Sequence, residues 1–209
     1  MNSTKHRFPG MILWLLCLLL MSAGVHAAEP VSAETALQAL REALRYADVT
    51  YEVDGTVEQG VAYRWGGRMS VDEYLQAVRE GKRPGIDAGV DASALVVNAY
   101  RAADPGHRFR IVSGGAERLV ADATSGVLYE WNVELVPYTS LRPGDLIFFQ
   151  NEQGQVSGVA VFERLDGPNV HFVVASASSN KVIRTFANVN NAYWNTRVKA
   201  TGRLLEMAP

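Results

Sequence analysis

The chain has 209 residues, a formal net charge of −2 and one cysteine, Cys17. Charge this close to balance, with no basic run, excludes the electrostatic footprint of a nucleic-acid binder. One cysteine excludes an internal disulfide and leaves no Cys-based metal cluster.

The start of the chain reads as an export leader. Lys5 and Arg7 form a positive n-region, Met11 to Met21 an apolar run, and Ser22 to Ala28 a small-residue exit. The run is short for a bilayer-spanning helix, and Val25 and Ala27 fit a signal-peptidase site with cleavage after Ala27. The expected organisation is a signal peptide at 1–27 and a single domain at 28–209. Cys17 stands inside the apolar run rather than after it, so it is no lipid attachment site. The mature chain then has no thiol. Losing Lys5 and Arg7 takes the formal charge from −2 to −4. About 180 residues remain, enough for one well-buried core. The expected location is a periplasm or the secreted fraction, with no membrane contact after cleavage.

The elements follow in order. Leu37, Leu40, Leu44 and Ala47 recur at helical spacing, which predicts a helix over Glu34 to Ala47. Tyr51 to Arg64 reads as loop with short extended pieces. Ser70 and Glu73 form a capping box ahead of Val71, Tyr74, Leu75 and Val78, and Gly81 stops that helix. A third helix is predicted from Ala92 to Ala103. After about Val127 the pattern turns to strands, predicted at Gly144 to Phe149, Gln155 to Glu163, Asn169 to Ala177, Lys181 to Phe186 and Thr196 to Leu205. Helices followed by a run of strands is an α+β order.

Three segments carry a more specific signal. Tyr63-Arg64-Trp65-Gly66-Gly67 precedes the second helix, Asp91-Ala92-Ser93-Ala94 opens the third, and Pro143-Gly144-Asp145-Leu146-Ile147-Phe148-Phe149 starts the sheet. In this order and on these elements they resemble the NlpC-type family of cell-wall cysteine peptidases over roughly Val61 to Leu205. Longer stretches intervene at Arg68 to Ala88 and Ala103 to Ser140. The resemblance implies a papain-like domain, with N-terminal helices packed on a mostly antiparallel sheet of five to six strands. It also implies a peptidoglycan stem peptide as ligand, and no cofactor or metal.

The departures from the family pattern bear on chemistry. The family's nucleophile is the Cys of Asp-Cys-Ser-Gly, a thiolate favoured by a helix N-terminus; here that position is Ala92. Alignment of Val159-Ala160-Val161-Phe162 with the family's Val-Gly-Ile-Tyr puts Gly158 where the catalytic His stands. The polar residue that orients the base falls on Val174. A methyl, a hydrogen and an isopropyl group cannot form a thiolate, take its proton or orient a base. The expectation is a pseudopeptidase that binds a peptidoglycan fragment or an envelope protein without cutting it, in a groove locally widened by the small residues. Tyr63, Asp91 and Ser93 match family positions that help bind the stem peptide, including a free amine end; helix capping is the alternative role for Asp91 and Ser93.

The second reading is a residual hydrolase of cell-wall peptides with Ser93 as nucleophile or His171 as base. Ser93 has no evident base in sequence, and period-two alternation sends His171 and Val174 to opposite faces. Trp65 reads as core, His107 as a solvated loop residue, and Pro143-Gly144-Asp145 as a structural turn. Oligomeric state is open at this level.

Overall fold

Residues 28–207 are described by the computed structural model. The leader, with Cys17 and the cleavage site expected after Ala27, lies outside them, as do residues 208–209.

Strand β1 (Glu29–Pro30) leads into helix α1 (Ala33–Asp48), then β2 (Thr50–Val53), β3 (Thr56–Gln59), α2 (Val71–Arg79) and α3 (Ala92–Ala103). Next come β4 (Phe109–Ser113), β5 (Ala116–Val120), α4 (Ser125–Trp131) and β6 (Val133–Leu135). The chain closes with β7 (Leu146–Gln150), β8 (Val156–Asp166), β9 (Asn169–Ser176), β10 (Lys181–Asn188), α5 (Ala192–Arg197) and β11 (Val198–Glu206).

The helices begin where side chains satisfy orphan backbone donors. Ser32 caps α1 by accepting from the Thr35 N–H at 3.0 Å. Ser70 and Glu73 cap α2 reciprocally, each side chain accepting from the other's backbone N–H. The buried face of α1 is rich in alanine, with Ala36, Ala39, Ala43 and Ala47 around Leu40. Small side chains let α3 pack closely against it. Leu37, expected on the buried face, is instead exposed.

The main sheet has seven strands in the order β1-β11-β7-β8-β9-β10, with β6 also paired to β11, and every pairing is antiparallel. It exceeds the expected five to six strands because two very short strands, β1 and β6, pair with the C-terminal half of β11. Alternation sorts its side chains. Leu146, Phe148, Val159, Val161, Val173 and Leu204 face the core shared with α1 and α3. Ile147, Ala160, Phe162, Val170, Phe172 and Ala187 face the other way, packed with Trp194 of α5.

Three departures from the sequence reading have local causes. The short extended pieces expected within the Tyr51 to Arg64 loop pair as the β2–β3 hairpin, turned by Asp54 (φ 50°) and Gly55 (φ 75°). Positive φ at both central residues is the geometry whose twist matches paired strands. A second hairpin, β4–β5, turns the same way through Gly114 (φ 60°) and Gly115 (φ 78°). Strand pattern was expected from Val127 and from Thr196; Thr124 and Asn191 instead cap the short helices α4 and α5.

Candidate functional site

The site is assembled where the Tyr63–Arg68 turn wraps around Val90. The Arg64 N–H donates to the Val90 carbonyl at 3.1 Å, and the Val90 N–H to Ala62 at 3.0 Å. The Asp91 N–H donates to the Gly67 carbonyl at 3.0 Å. Glycine is required at this crossing, since a Cβ on Gly67 would stand 2.4 Å from the Gly89 carbonyl oxygen. The turn therefore holds Tyr63 and Arg68 beside the first residues of α3.

Asp91 is the N-cap of α3, its Oδ1 accepting from the Ala94 N–H at 2.8 Å. The same oxygen accepts from the Ser93 hydroxyl at 2.8 Å and from Arg68 Nη1 at 3.2 Å. Arg68 Nη1 also donates to Ser93 Oγ at 2.8 Å, and its Nε pairs with Asp122 at 3.3 Å. Arg68, Asp91 and Ser93 thus form one closed hydrogen-bonded triangle. Ser93 is 5% exposed, and no imidazole or amine lies within hydrogen-bond reach of its hydroxyl among the described residues. Burial raises the Tyr63 hydroxyl above its ordinary pKa, and the Asp91 charge adds to that. Tyr63 is therefore a neutral donor at physiological pH.

Ala92 lies at the junction of two open cavities. The larger, about 480 Å³, is lined by Tyr63, Ala92, Gly158 and Val174, with Phe149 and Phe172 also in its wall and a lip of serine hydroxyls from Ser157 and Ser176. The three positions aligned with the family's nucleophile, base and orienting residue thus lie on one cavity. The second cavity, about 420 Å³, lies on the other side of Ala92. Tyr63, Trp65, Arg68, Asp91, Ser93 and Ser157 line it, together with Thr124 and Ser125. Both volumes suit a small peptide or sugar ligand. A Cβ built on Gly158 would meet Phe149 at 3.9 Å, an ordinary contact, so nothing but the missing side chain keeps a base from that position.

His171 lines neither cavity. Its ring stacks on Phe186 at 5.4 Å and its Nε2 lies 3.9 Å from Asp166 Oδ2. Two other expectations are corrected. Trp65 is not core but 83% exposed, because it sits at the tip of the turn closed by the Gly67 N–H to Arg64 carbonyl bond. His107 is not solvated but 4% exposed, set between Tyr100 and Phe109 with ring centroids at 6.0 and 4.9 Å. Burial lowers its pKa from the ordinary 6.5, with Asp104 opposing and Arg108 assisting. Sequence reasoning missed Arg68, which falls in a stretch set aside as an insertion. Its position directly after Gly66-Gly67 was the available signal.

The model of the NlpC/P60 family matches residues 60–203. The chain belongs to the NlpC/P60 family. Its α+β domain is the papain-like fold of that family, and the matched span begins at the Tyr63 turn and ends within β11. Two solved structures are similar at low identity. The crystal structure of Ly7917 is 11% identical, with a TM-score of 0.46 over 83% of this chain and 63% of that one. The crystal structure of Ly7917 with the hydrolyzing product of MDP is 12% identical, with a TM-score of 0.44 over the same shares. The chain thus spans less than two thirds of the length of these relatives. No curated protein matches it in sequence.

Proposed function

We propose that this NlpC/P60 chain is an exported pseudopeptidase, acting in the periplasm or outside the cell, that binds peptidoglycan stem peptides without cleaving them. The observation that carries the reading is the larger cavity. It is open to solvent, and its wall presents Ala92, Gly158 and Val174 where relatives need a thiol, an imidazole and a polar partner. A nucleophile, base and orienter act as a unit, so loss of one already removes most of the rate. Retention of an open cleft beside Tyr63 and Asp91 favours a peptide or glycopeptide ligand over a protein partner, which would suit a filled cleft and an apolar patch elsewhere. The closed triangle at Ser93 speaks against a serine hydrolase, since a useful nucleophile needs a free base beside it.

Isothermal titration of the chain from Ala28 onward with purified stem peptides and muropeptides tests this, paired with an assay for newly released amines. The expected outcome is saturable binding with no amine release. Turnover that disappears in Ser93→Ala would make the chain a hydrolase and overturn the proposal.

A further inference from the structure

A further cavity lies beside the groove, and what it holds rests on the reading of that groove as a wall-peptide site. We infer that this cavity receives an aliphatic primary amine in its free, charged form, carried on a side chain of a wall peptide whose body lies in the groove.

The cavity has a volume of about 670 Å³ and opens between the β2–β3 hairpin and the turns at 84–86 and 179–181. The hairpin precedes residues 60–203, the span that the family model matches. The 84–86 turn falls in the long stretch between Arg68 and Ala88. Two of the three walls are thus additions around the family's matched motifs.

Both of these walls are built. Tyr51 pairs with Glu58 and Val53 with Thr56 across the hairpin, so the four side chains share one face, and that face lines the cavity. The opposite turn is closed by the Gly85 N–H to Ala88 carbonyl bond at 2.8 Å and by the ion pair of Arg83 with Asp87 at 2.8 Å. Arg64 Nε fastens that turn to the Tyr63 segment by donating to the Ile86 carbonyl at 2.8 Å.

The lining suits an alkylammonium group. Asp54 and Glu58 are its acidic side chains and Lys181 its basic one, and none of the three is ion-paired among the described residues. Lys181 stands at the edge, where it also lines a separate small cavity with Asp48. An entering ammonium offsets the excess negative charge and makes charge-assisted hydrogen bonds to carboxylate oxygen. Val53, Pro84 and Ile86 offer apolar surface to its methylene stem. Hydrogen-bonding capacity is also unspent behind the wall. Tyr74 is fully buried and packs edge-on against Tyr51 at 5.2 Å, and its hydroxyl has no hydrogen-bond partner among the described residues.

The connection to the groove is direct. Tyr63 and Ser179 line both this cavity and the larger one beside Ala92. A peptide lying over Tyr63 therefore reaches the hairpin with one side chain. Acylation of that side chain, as in a cross-link, removes the charge and both halves of the match fail. The cavity thereby favours stems that are not cross-linked.

The test uses the chain from Ala28 onward and one stem tripeptide with lysine as its third residue, its side-chain amine either free or acetylated. Calorimetry is expected to show the free form binding more tightly by roughly tenfold, the size of one charge-assisted hydrogen bond. Because Asp54 and Glu58 are exposed, that preference is expected to shrink between about 0.05 and 0.5 M salt. The double variant Asp54→Asn, Glu58→Gln is expected to bring the free form down to the acetylated form and to leave the latter unchanged. Nα-acetyl-lysine methylamide, a lysine with no stem, is expected to bind at least roughly tenfold more weakly than the free tripeptide. Equal binding of that compound would make any exposed lysine an occupant and overturn the link to the groove. Equal affinity of the two tripeptides, or a preference that survives in the double variant, overturns the inference and leaves the wall-peptide reading standing. Failure of both tripeptides to bind overturns both.

Discussion

At the scale of the residue, the proposed loss of catalysis turns on Ala92, Gly158 and Val174, which line one cavity. Their backbone setting is intact: Ala92 follows a capping aspartate at a helix start, and Gly158 has room for a side chain. Restoring the machinery is therefore a residue-level experiment. The combined variant Ala92→Cys, Gly158→His and Val174→Asn is expected to release amines from muropeptides above background, whereas each single change stays silent because the three groups act together. Activity from Ala92→Cys alone would show that another base is already in place.

Two residues of the Pro143-Gly144-Asp145 turn are irreplaceable for different reasons. Gly144 has φ 98°, and a Cβ on it would stand 2.3 Å from the Ala36 carbonyl oxygen of α1. Gly144→Ala adds both backbone strain and a collision with a helix, and is expected to lower stability by roughly 2–5 kcal/mol in urea denaturation. Asp145 is buried and accepts from Arg203 at 3.0 and 2.9 Å and from the Arg142 N–H at 2.8 Å. Asp145→Ala leaves Arg203 without its counter-charge in a largely buried position, and a loss of about 3 kcal/mol or more is expected by the same measurement.

At the scale of the element, α3 does most to build the site. Its first turn sets Ala92 between the two cavities. Its sixth residue, Val97, and the rest of its buried face lie in the core under the sheet, and Tyr100 donates to the Gly144 carbonyl at 2.8 Å. The cavity wall and the Pro-Gly-Asp turn are thereby joined through one helix. Helix α2 depends on its cap in a simpler way. Ser70→Ala removes the acceptor for the Glu73 N–H and is expected to cost about 1 kcal/mol, read as a fall in thermal midpoint of a few degrees. A change in ligand affinity in that variant would mean that α2 bears on the site, although neither cavity has an α2 residue in its wall.

The same scale shows which elements were legible. The capping box marked the start of α2, and the predicted limits of the third helix, Ala92 to Ala103, are those observed. Both hairpins were legible in principle, since Asp54-Gly55 and Gly114-Gly115 are favoured pairs for two-residue turns. The strands around them are short and largely exposed, so alternation is weak, and the sequence marks only short extended pieces over Tyr51 to Arg64. Helices α4 and α5 are too short for periodicity to register, and each is announced only by a capping side chain.

At the scale of the whole molecule, one buried imidazole is expected to make stability fall as the pH drops below neutrality. His107 is held neutral among Tyr100 and Phe109, and burial puts its folded pKa below the ordinary 6.5. The unfolded chain then takes up the proton first. Stability from this group is complete above about pH 6.5 and is lost as pH falls from there through the folded value. Urea midpoints measured between pH 7.5 and 5 are expected to fall in the native chain and to fall less in His107→Phe, which keeps the aromatic packing. An equal slope in the two proteins would assign the acid sensitivity to other groups.

The sequence by itself determined the fold and the family. Three ordered motifs, a capping box and a run of strands are local features, and each depends on neighbours a few residues away. It also determined that no thiol stands at Ala92. It did not determine the state of the groove. That Ala92, Gly158 and Val174 share one open cavity depends on packing a helix start against two strands, across sequence separations that no local pattern encodes. That Trp65 is exposed and His107 buried was decided by which side of a turn faces the core. That Asp91 is already paired with Arg68 was decided by a turn wrapped around Val90. Charge compensation acts through space, between residues that the order of the chain keeps apart.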